Sequence, residues 1–295
     1  MDKDDSSDSG SPRLWILAFL LTSFFMACTS SVSPPRGPGY DYQQAKLMFK
    51  QGDLDRVINL TDSMASGPSS SRDTLNARVL RAVIFSSRID AYKILADTYQ
   101  KGSQIATSTQ SIASYNRRRS NVMQYGGDSA LNLGEVIMEF TSKPDFPKEL
   151  TLDAPWPSVE GPQAVDVLAR IRRGAWVPEE AQSGAVVDAQ RKAIDDVLAE
   201  LAGGNRSKAK AAMQAGMVKL DGLDFALFLE KEMVDGLALF GPKYLANPGQ
   251  LKTLCDVANR LGPPIEAMLK EKPDKAKEAQ FKKLQDQIKD AEKFT

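Results

Sequence analysis

Apolar residues recur every three or four positions along most of the chain from Tyr40 onward. The clearest stretch runs from Thr74 to Gln100, where Leu75, Val79 and the apolar residues after them follow this spacing. It places apolar side chains on one face of an α-helix, and no convincing alternation with the period of two typical of strands accompanies it. The pattern therefore predicts an all-α fold.

Glycines and prolines divide this helical pattern. Gly102 and the pair Gly126-Gly127 are expected to break or cap helices. Five prolines lie between Lys143 and Pro162, and because prolines at this density forbid a regular helix, we predict a linker over residues 144–162. The linker would follow a helical domain at 40–143 and precede a second one at 163–272, which includes helices at Pro178–Ala202 and Leu223–Phe240.

The last segment, residues 273–295, is dense in charge but keeps a narrow apolar stripe. Phe281, Leu284, Ile288 and Ala291 follow the helical spacing. This pattern predicts a charged amphipathic C-terminal helix. Three roles stay open for it: packing on its own domain, binding a partner helix, or lying on a membrane surface.

The N-terminal region contains an apolar run that is too short to span a membrane. Leu14 to Ala27 are fourteen uncharged residues that end directly on Cys28. As a helix they would extend about 21 Å, whereas the hydrocarbon core of a bilayer is about 30 Å thick. Such a length is typical of the apolar region of a cleavable export signal.

The sequence Phe25-Met26-Ala27-Cys28 resembles the lipobox of bacterial lipoproteins. The resemblance implies that residues 1–27 are a signal peptide, that Cys28 carries the lipid, and that residues 28–39 form a flexible tether to a protein in the cell envelope that faces the periplasm. Thr29 stands where an Asp would retain such a protein in the inner membrane, so the outer membrane is implied. An uncleaved anchor helix, and a misread start codon or a soluble protein, remain alternatives.

Charge and composition exclude several classes of function. The chain balances 38 basic with 38 acidic residues and contains no His. A nearly neutral surface disfavours nucleic acid as a partner, and the lack of His excludes Ser-His, Cys-His and His-zinc chemistry. We expect no metal and no cofactor. Cys255, the one cysteine besides Cys28, is either a small buried apolar residue or a reactive thiol.

The most specific internal motif is AKLMFKQGDLDRVINL at residues 45–60. Gly52 permits a left-handed corner between two helices, and Asp53 can cap the second helix. The segment resembles a tetratricopeptide repeat, in which Ala45 and Met48 occupy the small and large packing positions, while Val57 stands where that family prefers Ala. The resemblance implies an irregular array of helical hairpins that holds a peptide or a partner protein.

A second, fainter unit covers residues 77–101 and lacks the glycine-aspartate corner. At least three stacked repeats are usual, because one repeat cannot bury its own apolar face. Either the other repeats have diverged, or the fold is an irregular helical one with a single repeat-like hairpin. A division into two helical subdomains stays open.

Two groups of charged residues are candidates for chemistry. Arg117, Arg118 and Arg119 could contact an anion or a partner, since guanidinium groups bind oxyanions in a bidentate way. Glu135 and Glu139 lie one helical turn apart, and glycan-cleaving enzymes use two carboxylates. Glutamates at this spacing are ordinary in helices, so the expectation is a protein that is not an enzyme.

Three functional hypotheses follow from these features. The first is a lipid-anchored envelope adaptor or scaffold that binds a protein or peptide partner. The second is a solute-binding accessory of a transporter, similar to the helical lipoprotein T components of TRAP systems. The third is a peptidoglycan-active enzyme.

Overall fold

The computed structural model describes residues 38–68, 71–142, 146–158, 167–240 and 248–295. Helices dominate these residues, and the prediction of an all-α fold is confirmed. The expected lipid attachment at Cys28, the signal peptide and most of the tether lie outside the described residues.

We number the helices and strands in chain order. Their bounds are α1 Pro38–Gln51, α2 Leu54–Ala65, α3 Arg72–Ile105, α4 Thr109–Thr141, β1 Glu149–Leu152, α5 Val167–Arg172, α6 Glu179–Leu201, α7 Arg206–Ala215, β2 Val218–Asp221, α8 Gly222–Phe240, α9 Pro248–Asn259, α10 Gly262–Glu271 and α11 Lys275–Glu292.

Helices α1 and α2 form a hairpin that turns at Gly52. Gly52 has a φ of 79°, a left-handed conformation that favours glycine. The side chain of Asp53 accepts a hydrogen bond from the backbone N–H of Arg56 at 3.2 Å and so caps α2. Ala45 and Val57 are fully buried. This is one helical hairpin, and a stacked array of tetratricopeptide-like repeats remains a resemblance.

Helices α3 and α4 are long and pack against each other as an antiparallel pair. Helix α3 runs without a corner through residues 77–101, so that segment is one helix and not a second helical pair. The break expected at Gly126-Gly127 is wrong, because α4 continues through both glycines. A Cβ at Gly126 would overlap with Cδ1 of Leu239, so this glycine leaves room for a side chain of α8 to pack on α4.

A two-stranded antiparallel sheet is the exception to the helical pattern in the described part of the chain. Strand β1 lies within the predicted linker and pairs with β2, with Glu149 opposite Asp221 and Leu152 opposite Val218. Leu150 and Leu152 are buried on one side of β1. The pairing holds the segment after α4 beside the beginning of α8.

Residues Pro38–Thr295 form one compact unit. Its larger apolar cluster contains residues from before the predicted linker, such as Leu80, and from after it, such as Leu229, so the two predicted helical domains share a core. Helix α11 packs on this core through Leu284 and Ile288. In the described ranges no helix combines the length and the apolar character needed to cross a bilayer.

Candidate functional site

Helix α8 crosses the core and carries charged residues into it. Its sequence, GLDFALFLEKEMVDGLALF, is apolar around most of its circumference, which fits a helix with neighbours on nearly all sides. It packs against α3, α4, α6, α9, α10 and α11. Glu230 and Glu232 nevertheless lie in the middle of the helix, and both are 0% exposed. Buried carboxyl groups are costly unless they are paired or neutral.

Three carboxyl groups meet where α3 crosses α8. One carboxylate oxygen each from Asp90, Glu232 and Asp235 lies within 4.8 Å of the others. Lys93 Nζ donates to Asp235 at 2.6 Å, and Lys231 Nζ donates to Glu232 at 3.0 Å. We call these five residues the α3–α8 charge cluster. The ammonium groups of its two lysines supply positive charge of the kind that a bound metal ion would bring to three carboxylates.

Burial shifts the acid–base equilibria of this cluster. Desolvation, reinforced by the charge of Asp90, raises the pKa of Glu232 to about 8. Desolvation also raises the pKa of Asp90 to about 6, against the opposing effect of Lys231. Burial disfavours the ammonium of Lys231, but the neighbouring carboxylates outweigh that effect and raise its pKa above the ordinary value. The cluster therefore keeps Lys231 charged and favours the protonated form of Glu232 near neutral pH.

One oxygen of Glu232 is poorly satisfied. Its Oε2 is buried and has no hydrogen-bond partner among the residues that the structure describes. A neutral carboxyl group leaves less charge uncompensated at such a place than a carboxylate does. This environment agrees with the raised pKa of Glu232.

Glu230 lies two positions earlier on α8 and faces a different neighbour. Gln285 of α11 donates a hydrogen bond from Nε2 to Glu230 Oε1. Burial raises the pKa of Glu230 to about 7, against the opposing effect of this hydrogen bond. Because residues two apart on a helix point about 200° apart, the two glutamates place titratable groups on two different faces of α8.

An open cleft lies beside the α3–α8 charge cluster. Its volume is about 500 Å³. The end of α6, strand β2, the first half of α8 and Gln280 of α11 form its walls. Leu201 and Val218, which are partly exposed, contribute apolar surface, while Glu200, Asp221, Asp224 and Lys219 contribute charge. We call this the α6–α8 cleft.

Lys231 connects the cleft with the cluster. Its Nζ donates to Glu200 Oε2 at 2.8 Å in addition to Glu232. The side chain of Glu200 is 44% exposed and lines the cleft, whereas that of Glu232 is fully buried. A single ammonium group thus joins a solvent-accessible carboxylate to a buried one.

The residues singled out from the repeat-like motif lie elsewhere. Ala45, Met48 and Val57 are buried in the α1–α2 hairpin, and Gly52 and Asp53 form its turn. These five residues do not line the α6–α8 cleft. In the structure these residues shape the turn of the α1–α2 hairpin and pack its two helices together.

The three arginines on α4 do not share one face. Arg117, Arg118 and Arg119 are consecutive on a helix, so their side chains leave it about 100° apart. Arg117 is exposed, and the other two are partly buried. Arg118 acts electrostatically on the buried Tyr99, whose pKa is raised chiefly by burial. The contact of these arginines with an anion or a partner stays a prediction.

The carboxyl pair considered for catalysis is also separated in role. Glu139 forms an ion pair with Arg78 at 3.5 Å, whereas Glu135 is exposed.

Cys255 is buried, with 1% exposure, and burial raises the pKa of its thiol to about 11. Since the thiolate is the nucleophile, this environment agrees with a small buried apolar role.

The α3–α8 charge cluster was missed by sequence reasoning, although α8 contains a signal for it. Glu230, Lys231 and Glu232 interrupt a segment that is otherwise apolar enough to be buried on all sides. Charges within such a segment must either be paired or face a cavity. Asp90 and Glu200 are far away in sequence, and no pattern around them points to α8.

No protein-family model matches the chain, and neither the curated protein sequences nor the solved structures compared with it give a significant match.

Proposed function

We propose that this protein is a lipid-anchored, non-enzymatic adaptor of the bacterial cell envelope that receives a segment of a partner protein in the α6–α8 cleft. The observation that carries the proposal is the cleft itself, which is open and has apolar as well as charged walls. An open cleft leaves room for a bound chain to continue into solvent. The lipobox-like sequence ending at Cys28 supports the location.

The lining of the cleft suits a peptide. The partly exposed Leu201 and Val218 can contact an apolar side chain, and the exposed Lys219 and Gln280 can contact the polar backbone beside it. Of the four charged lining residues, Glu200, Asp221 and Asp224 are acidic and Lys219 is basic. The cleft therefore favours a partner segment that combines an apolar residue with a basic one.

Position-specific photocrosslinking in the native cells tests this proposal. Benzoylphenylalanine at Gln280, or at Lys219, is expected to give a covalent adduct of one defined mass because both positions line the cleft. The matched control is Lys282, which is also exposed on α11 but points about 200° away from Gln280. Equal adducts at Lys282, or none at either cleft position, would contradict the proposal.

The size of the cleft also favours a second candidate, the solute-binding accessory. Its volume of about 500 Å³ lies within the range of small-molecule sites, roughly 300–1,000 Å³. Native mass spectrometry of protein purified from its own cells would distinguish the two functions. A bound small molecule that is lost when Val218→Trp, a change at a partly exposed lining position, fills the cleft would favour the solute-binding function if no crosslinked protein is found.

A further inference from the structure

Lys231 divides one positive charge between a buried and an accessible carboxyl group. Its Nζ lies 3.0 Å from Glu232 Oε1 and 2.8 Å from Glu200 Oε2. Glu232 in turn lies beside Asp90 in the α3–α8 charge cluster. A change of charge at Glu232 therefore alters how far Lys231 neutralises Glu200.

We propose that Lys231 couples the protonation of the buried Glu232–Asp90 pair to the charge that Glu200 presents in the α6–α8 cleft, so that the cleft binds a cationic group more tightly when the pair is ionised. The cationic group is the ammonium or guanidinium of a basic residue in the partner segment. This inference rests on the proposed function, because it takes the cleft as the binding site and adds its regulation.

The direction of the coupling follows from electrostatics. When Glu232 is neutral, its carboxyl group does not compete for Lys231, and the ammonium of Lys231 compensates mainly the negative charge of Glu200. When Glu232 is ionised, the same ammonium serves two carboxylates, and Glu200 keeps more of its negative charge for a ligand. By thermodynamic reciprocity, a cation bound at Glu200 releases Lys231 toward Glu232 and favours loss of its proton.

The other charged groups around α8 are engaged elsewhere or belong to the cluster. On α3, Lys93 pairs with Asp235 at 2.6 Å. On α11, Lys277 pairs with Asp224 near the start of α8, and the uncharged Gln285 bonds to Glu230. Asp221 of β2 accepts hydrogen bonds from the first backbone N–H groups of α8. Among the described side chains, Lys231 is thus the cation shared by the cluster and the cleft.

Glu232 changes its protonation state within a pH range in which binding can be measured. Burial places its pKa at about 8, and that of Asp90 at about 6. Raising the pH from 6 to 9 removes the proton from the pair. The inference predicts that affinity for a cation rises over this interval.

Carboxyl ¹³C resonances followed by NMR from pH 4 to pH 10 test the coupling in the full mature chain. The Glu200 resonance is expected to shift in two steps, the second at the pH where Glu232 itself titrates. Glu232→Gln is expected to abolish the second step. Glu230→Gln, which changes the other buried glutamate on α8, is expected to keep it.

A ligand probe completes the test. The peptide acetyl-Leu-Lys-Leu-amide is expected to bind about fivefold more tightly at pH 9 than at pH 6, a ratio typical of a modest coupling between sites. In Glu232→Gln the two affinities should be equal. If that variant does not fold, Asp90→Asn replaces it and should lower the pH at which the second step occurs.

Three outcomes would overturn the inference. A single Glu200 step, a second step that persists in Glu232→Gln, or peptide binding that does not change with pH would each show that Lys231 does not transmit the protonation. Because photocrosslinking at Gln280 reports cleft occupancy alone, a positive crosslink with no NMR coupling would leave the adaptor proposal intact.

Discussion

Glu232 shows how much the environment of a single residue decides its chemistry. Its side chain is fully buried beside Asp90, and the ammonium group of Lys231 compensates its charge. The apolar sequence of α8 indicates that Glu232 is buried, but it does not identify Asp90 as the carboxyl group beside it. Only the surrounding helices, which are far away in sequence, set its burial.

The raised pKa of Glu232 makes the stability of the fold depend on pH. The folded-state pKa is about 8, against an ordinary value of 4.5, so the folded protein holds a proton that the unfolded chain releases. The free energy of unfolding is therefore expected to fall as pH rises from about 4.5 to about 8, by an amount on the order of a few kcal/mol.

The variant Glu232→Gln should remove this pH-dependent contribution, because the amide cannot ionise. It is expected to be more stable than the wild type at pH 9, as measured by urea unfolding at pH 5, 7 and 9. Glu135→Gln, at an exposed position, serves as the control and should follow the wild type. A parallel loss of stability with pH in Glu232→Gln would show that other groups carry the dependence.

At the scale of the element, helices were easier to predict than their ends and crossings. The helices expected at Pro178–Ala202 and Leu223–Phe240 correspond closely to α6 and α8. Strands β1 and β2 have four residues each, so the alternation of apolar and polar residues along them is too short to stand out from the surrounding sequence. Gly126 was misread because a glycine that permits two helices to approach closely has the same sequence signal as a helix break.

The close crossing of α4 and α8 should be sensitive to a single methyl group. A Cβ at Gly236 would lie 2.6 Å from Cβ of Ala130, whereas one at Gly134 would lie at an ordinary 3.6 Å from Val257. Gly236→Ala is therefore expected to be less stable than Gly134→Ala by roughly 1–3 kcal/mol. Gly134→Ala should itself be neutral or more stable than the wild type, by up to about 1 kcal/mol.

Thermal or urea unfolding of the two variants measures this difference. Both substitutions replace a helical glycine with alanine, so their effects on helix propensity are matched. Equal stabilities would mean that α4 and α8 are not held as closely as the structure places them.

At the scale of the whole molecule, the α6–α8 cleft is a product of tertiary structure. Glu200, Lys219, Phe228 and Gln280 come from four elements spread over eighty residues and meet only in the fold. The local pattern of apolar residues does not predict which distant elements lie together in the fold. The α1–α2 hairpin, in contrast, could be predicted from a short motif around Gly52. The proposed role further depends on where the molecule resides, and that depends on Cys28.

The central claim is that this is an anchored envelope protein. Mass spectrometry of the mature protein from its native membranes tests this claim most directly. We expect an N-terminal peptide that begins at Cys28 and carries fatty acyl groups, with residues 1–27 absent. An intact peptide across Ala27-Cys28 with an unmodified thiol would contradict the anchor and the envelope role built on it.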